Sequence, residues 1–165
     1  MALATSTAEG QPSVRVVLLK EVDDEGFIFY TNNHSRKGRE LLKNPQVAMV
    51  MHWPGAGKQV RIEGVAEPLP AEASDAYFAT RSRGSQLAAA CSAQSAPLDS
   101  RGELLAKWEA LASARAPPAR PGHWGGWRVL PTRVEFWQDG EHRLHHRLLY
   151  TSDGSGGWLC SQLQP

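Results

Sequence analysis

Residues 26–53 read GFIFYTNNHSRKGRELLKNPQVAMVMHW and carry the signals of a strand, a helix and a second strand in immediate succession. The run FIFYT at residues 27–31 is β-branched and aromatic, which favours a buried strand. Ser35 is a residue type that caps helix N-termini, and the Asn-Pro pair at residues 44–45 ends the helix that follows it. Residues 47–53 then return to an apolar pattern that predicts the second strand.

On either side of this segment the chain repeats such short apolar runs. Further strands are predicted at residues 13–19, 59–67, 127–130, 133–138, 143–150 and 158–162, helices at residues 70–80, 86–91 and 99–114, and an irregular proline-rich link at residues 116–122. Because only a short turn at residues 23–26 separates the first two strands, they are expected to pair as an antiparallel hairpin. Many short strands with interposed turns and a few helices predict one mainly β domain over residues 1–165, a β-barrel with peripheral helices.

The composition excludes several classes of protein. The formal net charge of the 165 residues is +1, so no strong overall field attracts nucleic acid or an acidic membrane. Cys91 and Cys160 lie far apart and form no metal-binding motif, which favours a reduced, cytoplasmic compartment and no bound metal. No apolar run approaches the roughly 20 residues that cross a bilayer. We therefore expect a cytoplasmic protein without a nucleic-acid or membrane partner.

No motif of a catalytic nucleophile, a zinc site or a nucleotide-binding loop is present. Basic residues instead stand at predicted strand ends and helix starts, namely Arg15, Lys20, Arg36, Lys37, Arg81, Arg83, Arg143 and Arg147. Arginine donates forked, charge-assisted hydrogen bonds and lysine supplies a point charge, and both suit phosphate groups. The distribution of cations therefore indicates an anionic ligand.

Two of these clusters have both a functional and a structural interpretation. The tripeptide SRK at residues 35–37 opens a helix, where backbone N–H groups and the helix dipole favour a phosphate, although the tripeptide alone is more typical of a solvated helix start. Tyr77, Arg81 and Ser85 are spaced four apart, so one helix through them would present two hydroxyls and a guanidinium to one anion. An amphipathic helix with a packed tyrosine and a solvated arginine fits the same spacing. The sequence WGGW at residues 124–127 indicates only a close approach of the backbone.

The third cluster is EHRLHHR at residues 141–147. If these residues form a strand, Arg143, His145 and Arg147 point to one face, and Leu144 and the other two histidines point to the opposite face. Two arginines beside a histidine form a poor core and a good lining for an anion or a cofactor. A metal site is not expected, because alternation separates the histidines and the adjacent arginines repel a cation.

In their order along the chain, these segments resemble the pyridoxine (pyridoxamine) 5′-phosphate oxidase family. The strings that carry the resemblance are SVRVVLLK (13–20), GFIFYTN (26–32), HSRKGREL (34–41), KQVRIEG (58–64), YFATRSRGSQL (77–87), SAQS (92–95), HWGGWRV (123–129), VEFWQ (134–138) and HRLHHRLLY (142–150). Their order and spacing are far more specific together than any one string. The resemblance implies an FMN-binding split β-barrel that works as a homodimer, with two active sites at the subunit interface.

The resemblance also implies which residues bind the cofactor and the substrate. The implied FMN contacts are Arg15, Val16, Val17, Leu18, Leu19, Lys20, Tyr30, Thr31, Arg36, Lys37, Gln59, Gln94, Ser95, Trp137 and Arg147. The implied substrate site is Lys20, Tyr77, Arg81 and Ser85 around a phosphate, with Arg143, Leu144 and His145 at the pyridine ring. Simple alternation places Arg15 and Lys20 on opposite faces of one strand. A bend near Lys20, or sites shared across the dimer, is therefore expected.

The implied reaction is the oxidation of pyridoxamine or pyridoxine 5′-phosphate to pyridoxal 5′-phosphate. Hydride passes from the substrate C4′ to flavin N5, and O2 reoxidises the flavin with release of H2O2. Because the cofactor carries the difficult step, the protein needs no strong general base. Arg143 and His145 are the expected catalytic residues: Arg143 orients C4′, and His145 hydrogen-bonds the substrate or moves a proton.

The chain departs from the family pattern at three places. Residues 143–147 read RLHHR where the family usually has RLHDR, which replaces an anion by a group that can become cationic and predicts weaker flavin retention in mildly acidic solution. Ser82 stands where proline is common, and residues 87–90 (LAAA) replace a bulkier segment, so a wider pocket is expected. Family members usually carry a longer N-terminal segment over the substrate, which the resemblance implies is absent here.

Three other functions are compatible with parts of this pattern. A phenazine-biosynthesis type of oxidase would act on another small aromatic substrate, but a phosphate clamp has little use for an unphosphorylated ring. A non-catalytic protein that binds FMN or pyridoxal phosphate would account for the departures above. A structural barrel with an unrelated role could contain one phosphate-like cluster, but not the whole ordered set of strings.

Overall fold

The computed structural model describes residues 1–114 and 116–165. The strands in these residues are β1 (Ala2–Ser6), β2 (Pro12–Val16), β3 (Glu21–Val22), β4 (Phe27–Asn32), β5 (Gln46–Trp53), β6 (Lys58–Pro68), β7 (Trp124–Gln138), β8 (His146–Ser152) and β9 (Trp158–Gln162). The helices are α1 (Arg36–Lys43), α2 (Ala71–Thr80), α3 (Arg83–Cys91) and α4 (Arg101–Ala112), and short 3-10 turns lie at Pro54–Ala56 and Glu141–Arg143. Among the described helices, none has the length and apolar character that crossing a membrane requires.

The strands form one sheet in the order β2-β1-β5-β6-β7-β4-β3, and β8 pairs with both β7 and β9. The pairs β1–β2, β1–β5, β5–β6, β3–β4, β7–β8 and β8–β9 are antiparallel. Residues on β1 alternate between partly exposed and buried, as expected for a strand with one face on a core.

The chain divides into two compact units. The first unit contains residues 1–29, 40–67 and 128–165, and the second contains residues 30–39 and 68–127. The core of the first unit is formed by Leu3, Ile28, Phe29, Leu41, Val47, Met49, Ile62, Ala66 and Val129. The buried apolar residues of the second unit are Phe78, Leu87, Trp124 and Trp127. The expectation of one domain over the whole chain stays a prediction.

The helix predicted after the FIFYT strand is confirmed, together with its cap. The Ser35 side chain is fully buried, and its hydroxyl accepts a hydrogen bond from the Gly38 N–H at 3.3 Å. This bond satisfies one of the N–H groups that have no partner within the first turn of a helix. The helix ends at Lys43, directly before the Asn-Pro pair at residues 44–45.

The predicted hairpin between residues 13–19 and 27–31 is wrong in its pairing. β2 ends at Val16 and pairs with β1, whereas the strand that pairs with β4 is the short β3. The ladder between β1 and β2 ends at the reciprocal pair of Val17 and Met1, where the chain of β1 begins, and the Lys20 N–H donates instead to the Ile28 carbonyl. Strand alternation therefore does not extend from Arg15 to Lys20, and the expected opposition of these two residues disappears.

The C-terminal strands also differ from their predicted limits. Residues 127–130 and 133–138 belong to a single 15-residue strand, β7. The strand predicted at residues 143–150 begins only at His146, because His142 and Arg143 adopt left-handed backbone angles with φ of 56° and 65°. These angles interrupt an extended chain. Of Arg143, His145 and Arg147, only Arg147 lies in β8. The alternation of side chains along a strand therefore does not place the three on one face.

A buried carboxylate joins three neighbouring strands of the first unit. Glu135 on β7 is 6% exposed and accepts two hydrogen bonds from Arg147 on β8, at 2.7 Å from Nε and 3.1 Å from Nη2. Arg61 on β6 donates to the same carboxylate at 2.9 Å. The hydrogen bond from Arg147 holds the pKa of Glu135 below its usual range, against the opposing effect of burial. The paired charges make this burial tolerable.

This arrangement predicts an acid-sensitive contribution to stability. Since the pKa of Glu135 is lower in the folded than in the unfolded protein, its contribution is complete above the unfolded value and is lost as the pH falls through the folded value. We expect Glu135→Gln to lower the free energy of unfolding by about 2 kcal/mol at neutral pH and to flatten its decline in acid. Urea unfolding at a series of pH values measures both effects.

Glu63→Gln is the matched control. Glu63 is more exposed and pairs with Arg61 at 3.4 Å and with Arg133 at 3.2 Å. Exposed ion pairs contribute less than about 1 kcal/mol, so this substitution should change the unfolding free energy little at any pH. Equal effects of the two substitutions would contradict the role given to Glu135.

Candidate active site

In the second unit, the start of α1 forms a polar pocket around a buried ammonium group. Lys37 is 9% exposed, and its Nζ donates to Thr31 Oγ1 at 3.2 Å, Ser35 Oγ at 3.3 Å and Gln94 Oε1 at 2.9 Å. Arg36 stands exposed in the same first turn of the helix. The structure thus brings together four residues of the predicted FMN set at a helix N-terminus, which is where an anion is stabilised.

The loop that carries Gln94 continues into Ser95, another predicted FMN residue. Ser95 has a left-handed backbone with φ of 73°, a conformation that residues other than glycine rarely adopt. Such strain is found preferentially at functional sites.

Three aromatic rings of the second unit are stacked together. The Tyr30 ring has its centroid 4.0 Å from that of Tyr77 and 5.3 Å from that of Trp124, and the Tyr77 and Trp124 centroids are 6.2 Å apart, so the three rings form a compact triangle with their planes within 15° of parallel. Gly126 permits this arrangement, because a Cβ at that position would lie 2.7 Å from the Tyr30 ring. The close backbone approach predicted from the WGGW sequence is confirmed.

The guanidinium of Arg81 lies over this aromatic cluster without an anionic partner. Its Cζ is 4.7 Å from the Trp124 ring centroid and 5.5 Å from the Phe78 ring centroid. Its Nη1 atom is buried and has no hydrogen-bond partner among the described residues. Burial lowers the pKa of Arg81, an effect partly offset by Tyr77. A buried donor without an acceptor is costly, and a bound anion would remove that cost.

The condition for a shared face, one helix through Tyr77, Arg81 and Ser85, is not met, whereas the predicted end of a helix at Thr80 is confirmed. Helix α2 ends at Thr80, and Arg81 has extended backbone angles of φ −73° and ψ 150°. Ser82 then caps α3, and its hydroxyl also makes a hydrogen bond of 2.9 Å with that of Ser85. A spacing of four residues therefore does not create one face here. Arg81 and Tyr77 meet instead through the aromatic cluster.

In the first unit, Arg15 is held by an internal polar cluster. Its Nη1 donates to the Leu3 carbonyl at 3.2 Å and to Thr5 Oγ1 at 2.6 Å, and its Nη2 donates to Ser13 Oγ at 2.5 Å and to the Glu40 carboxylate at 3.3 Å. These bonds occupy the terminal N–H groups of the guanidinium. The contact of Arg15 with FMN stays a prediction. The side chains of Val16, Leu18 and Lys20 are exposed, and those of Val17 and Leu19 are partly buried.

A cavity of about 450 Å³ in the first unit contains two further residues of the predicted FMN set. Gln59 and Trp137 line it together with His146, the residue that departs from the family pattern. The remaining lining residues are Trp53, Lys58, Val60, Phe136, Gln138 and Leu148. An aromatic wall with a few amide groups suits a flat, heteroatom-bearing ring.

The turn between β7 and β8 carries the predicted catalytic residues. The His145 ring lies against the Trp137 indole with centroids 4.6 Å apart, and its Nδ1 is 3.0 Å from the Asp139 carboxylate. Arg143 is exposed in the left-handed part of the turn, and Leu144 is exposed beside it. The structure therefore brings His145 and Trp137 into contact.

Arg147 retains hydrogen-bonding capacity beyond its structural bonds. In addition to the two bonds to Glu135, its Nη1 donates to the Gln164 carbonyl at 2.8 Å. A guanidinium has five N–H groups, so one on each terminal nitrogen remains for a ligand. The hydrogen bond from Arg147 to Glu135 raises the pKa of Arg147, which keeps it cationic.

The residues present fit a flavin mononucleotide. The pocket at the start of α1 offers the positive charge and the helix terminus that a phosphate requires. The aromatic cavity with Gln59 and Trp137 offers a surface for a planar ring and an amide for its edge. The pocket at the start of α1 and the aromatic cavity are each defined by contacts within a single unit.

Sequence reasoning missed three residues that shape these sites. Trp124 was assigned no chemistry, although a tryptophan next to two glycines is a candidate for stacking on a cation. Asp139 was overlooked, but the dipeptide Asp139-Gly140 is a turn signal that would have ended the strand before His145. Glu135 in VEFWQ had no local signal, because only the pairing of β7 with β8 brings Arg147, which lies opposite Trp137, within reach of its carboxylate.

Two family models match the chain. Residues 1–113 match the model described as pyridoxamine 5′-phosphate oxidase, and residues 124–165 match the pyridoxine 5′-phosphate oxidase C-terminal dimerisation region. Curated relatives named pyridoxine/pyridoxamine 5′-phosphate oxidase match as well. The protein of Gluconobacter oxydans is 52% identical over 167 residues, and that of Rubrobacter xylanophilus is 54% identical over 168 residues. The alignments cover all of this chain and 83% and 76% of those proteins.

Solved structures show the same fold. PhzG from Burkholderia lata 383, crystallised with tetrahydrophenazine-1-carboxylic acid, has a TM-score of 0.96 and 38% identity over 99% of this chain and 81% of its own. A pyridoxamine 5′-phosphate oxidase-related, FMN-binding protein from Nostoc punctiforme has a TM-score of 0.82 at 18% identity, over 99% of this chain and 87% of its own.

The fold is therefore that of the flavin-associated split barrels, mainly β with a few helices, as the sequence predicted. The chain belongs to the pyridoxamine 5′-phosphate oxidase family.

The Arg81 Nη1 atom, which has no hydrogen-bond partner among the described residues, leads to a prediction that is independent of catalysis. Arg81→Met keeps a long side chain on the Trp124 ring but removes the buried donor. We expect the variant to melt about 2–4 °C higher than the parent without ligand, because an unsatisfied buried donor costs on the order of 1 kcal/mol. With FMN added to fill the pocket at Lys37, inorganic phosphate should raise the melting temperature of the parent and not of the variant.

Arg83→Met is the control. Arg83 is exposed and donates to the carbonyls of Ala112, Ala114 and Ala116. Its replacement should lower the melting temperature and leave the response to phosphate intact. Thermal shifts in phosphate and in chloride at equal ionic strength make the comparison. A phosphate response that survives in Arg81→Met would contradict an anion site at Arg81.

Proposed function

We propose that this protein is an FMN-dependent oxidase that converts pyridoxamine or pyridoxine 5′-phosphate to pyridoxal 5′-phosphate with O2. The observation that carries the proposal is the buried Arg81 Nη1, which finds no hydrogen-bond partner in residues 1–114 and 116–165, in a chain about half identical to relatives of that name. A cation kept in this state fits a substrate that supplies a phosphate. When bound, FMN supplies a hydride acceptor that O2 reoxidises with release of H2O2.

The proposed role of the second unit is to hold phosphate groups. Lys37 and Arg36 at the start of α1, with Gln94 and Ser95, bind the phosphate end of FMN. Arg81 and Tyr77, with Ser85, bind the phosphate of the substrate, and the assignment of Lys20 to that phosphate stays a prediction. The Trp124 ring fixes the plane of the Arg81 guanidinium before the substrate arrives, so little ordering is left to occur on binding.

The proposed role of the first unit is to hold the two rings. Gln59 and Trp137 bind the flavin ring, and Arg147 donates its remaining N–H groups to the same cofactor. Arg143 orients the substrate C4′, and His145 accepts a hydrogen bond from the substrate or moves a proton. Fixing two rings at reacting distance accounts for most of what a protein contributes to such a hydride transfer. Arg15 joins β2 to the adjoining strand β1 through its bond to Thr5 and to helix α1 through its bond to Glu40.

We also propose that the protein acts as a homodimer with active sites at the subunit interface. Residues 124–165 match a dimerisation region, and β2 lies at an edge of the sheet with exposed apolar residues. Val14, Val16 and Leu18 are 68%, 79% and 67% exposed. An apolar edge strand is avoided in monomers because it promotes association. The free thiols of Cys91 and Cys160 fit a cytoplasmic location.

Anaerobic spectroscopy tests the proposed reaction. The protein loaded with FMN is mixed with pyridoxamine 5′-phosphate without oxygen. We expect the flavin absorbance to bleach, to return when air is admitted, and to be accompanied by pyridoxal 5′-phosphate. Arg81→Met should reduce kcat/KM for the phosphorylated substrate roughly 100-fold, which corresponds to about 2.7 kcal/mol of transition-state stabilisation. Bound flavin that does not bleach would contradict the oxidase and favour a binding protein.

A second candidate function is supported by the likeness to PhzG, which was crystallised with tetrahydrophenazine-1-carboxylic acid. In that case the substrate is an unphosphorylated tricyclic carboxylic acid. Tetrahydrophenazine-1-carboxylic acid therefore serves as the competing substrate in the same experiment. Bleaching by this compound and not by pyridoxamine 5′-phosphate would replace the first proposal by the second.

A further inference from the structure

The carboxylate of Asp139 contacts the ring of His145. Asp139 follows directly after β7, and its Oδ1 lies 3.0 Å from His145 Nδ1. On its other side the imidazole lies against the Trp137 indole, with ring centroids 4.6 Å apart and planes inclined by 44°. The His145 side chain is 23% exposed. The ring is thus held from two sides, by an aromatic surface and by a carboxylate.

The Gly140 N–H lies near both Asp139 and His145, so it limits which hydrogen bonds these two side chains can form at the same time. It lies 3.1 Å from Asp139 Oδ1 and 3.3 Å from His145 Nδ1. If Nδ1 carries no proton, it can accept from Gly140, but then it repels the carboxylate oxygen 3.0 Å away. If Nδ1 carries the proton, both N–H groups donate to the same oxygen, and every group has a partner. A carboxylate oxygen accepts two such bonds readily.

The position of Asp139 is itself fixed by the backbone around it. Its N–H donates to the Gly57 carbonyl at 2.8 Å, in the turn between β5 and β6. Gly140 closes the turn, because a Cβ at that position would lie 2.3 Å from the Leu144 carbonyl oxygen. The Leu144 N–H donates back to the Glu141 carbonyl at 3.0 Å. The carboxylate therefore meets the imidazole from a constrained turn.

We propose that Asp139 is a positioning residue that fixes His145 in the tautomer protonated on Nδ1. This tautomer leaves the lone pair on Nε2, so His145 presents an acceptor to a hydroxyl or N–H group of its ligand. An acidic partner behind a working imidazole fixes both its orientation and its tautomer. The tautomer follows from the contacts alone, and only its use toward a substrate rests on the proposed function.

Nitrogen-15 NMR of the FMN-loaded protein, with labelled histidine, tests the tautomer directly. The His145 signals are assigned by their loss in His145→Gln, at a pH at which the ring is neutral. We expect protonated Nδ1 in the parent. In Asp139→Ala the Gly140 N–H becomes the remaining neighbour of Nδ1, so the proton should move to Nε2. The Asp139 side chain is 64% exposed, which makes the substitution tolerable for folding.

Asp139→Asn separates the hydrogen bond from the charge. The Gly140 N–H selects the amide oxygen of the asparagine, which then still accepts from Nδ1. We expect this variant to keep the parent tautomer, and to keep kcat/KM for pyridoxamine 5′-phosphate within about threefold, whereas Asp139→Ala loses roughly tenfold or more. Asp153→Ala is the matched control, because Asp153 is also a turn aspartate that accepts backbone N–H groups, from Ser155 and Gly157. It should change neither quantity.

Two results would overturn the proposal: a parent His145 protonated on Nε2, or an unchanged tautomer in Asp139→Ala. Failure of the proposed function has a different signature. If the parent does not oxidise pyridoxamine 5′-phosphate but the tautomer shifts as expected, Asp139 still positions His145 and only the assigned substrate is wrong.

Discussion

The carboxylate of Glu135 is the interaction on which the C-terminal part of the molecule depends. It is buried on β7 and bonded to guanidinium groups from β6 and β8, so it fixes the register of three neighbouring strands. A buried pair of this kind adds little net stability over an apolar core, but losing one partner is expensive. The Glu135–Arg147 ion pair matters because it fixes the position of Arg147 at the start of β8, two residues after His145. The strand pairing and the proposed flavin contact are thereby determined by the same group.

The second unit shows the opposite arrangement, in which a cation is left without its complement. Stacked rings support the Arg81 guanidinium, but no described group accepts a hydrogen bond from Nη1. Stability alone would favour an apolar residue at this place. The stability lost by burying Nη1 without an acceptor is explained by a ligand that brings its own negative charge. Such a loss is typical of sites where binding and stability conflict. The two units thus contribute different things to the proposed chemistry, anion recognition in one and ring placement in the other.

Local signals in the sequence predicted those structural features, such as helix starts and ends, that depend only on residues close by in the chain. Ser35 and the following helix were found because a capping hydroxyl and an Asn-Pro terminator act within a few residues. The pairing of β2 with β1 was missed because pairing depends on distant backbone groups. The end of a helix at Thr80 was predicted, but a single face through Tyr77, Arg81 and Ser85 was left open because a spacing of four residues fits one helix as well as two. His142 and Arg143 read as strand residues, and their left-handed backbone is imposed by the closed turn after Asp139. The family resemblance found residues of both candidate sites, but not the groups that support them, such as Trp124 and Asp139.

We propose above all that Arg81 receives the phosphate of a pyridine substrate and that the Lys37 pocket receives the phosphate of FMN. A crystal structure of the protein with FMN and pyridoxal 5′-phosphate tests it most directly. The account predicts a phosphate oxygen of pyridoxal 5′-phosphate within hydrogen-bond distance of Arg81 Nη1, and the flavin phosphate at the start of α1. A structure in which Arg81 remains without an anion while pyridoxal 5′-phosphate binds elsewhere would contradict it.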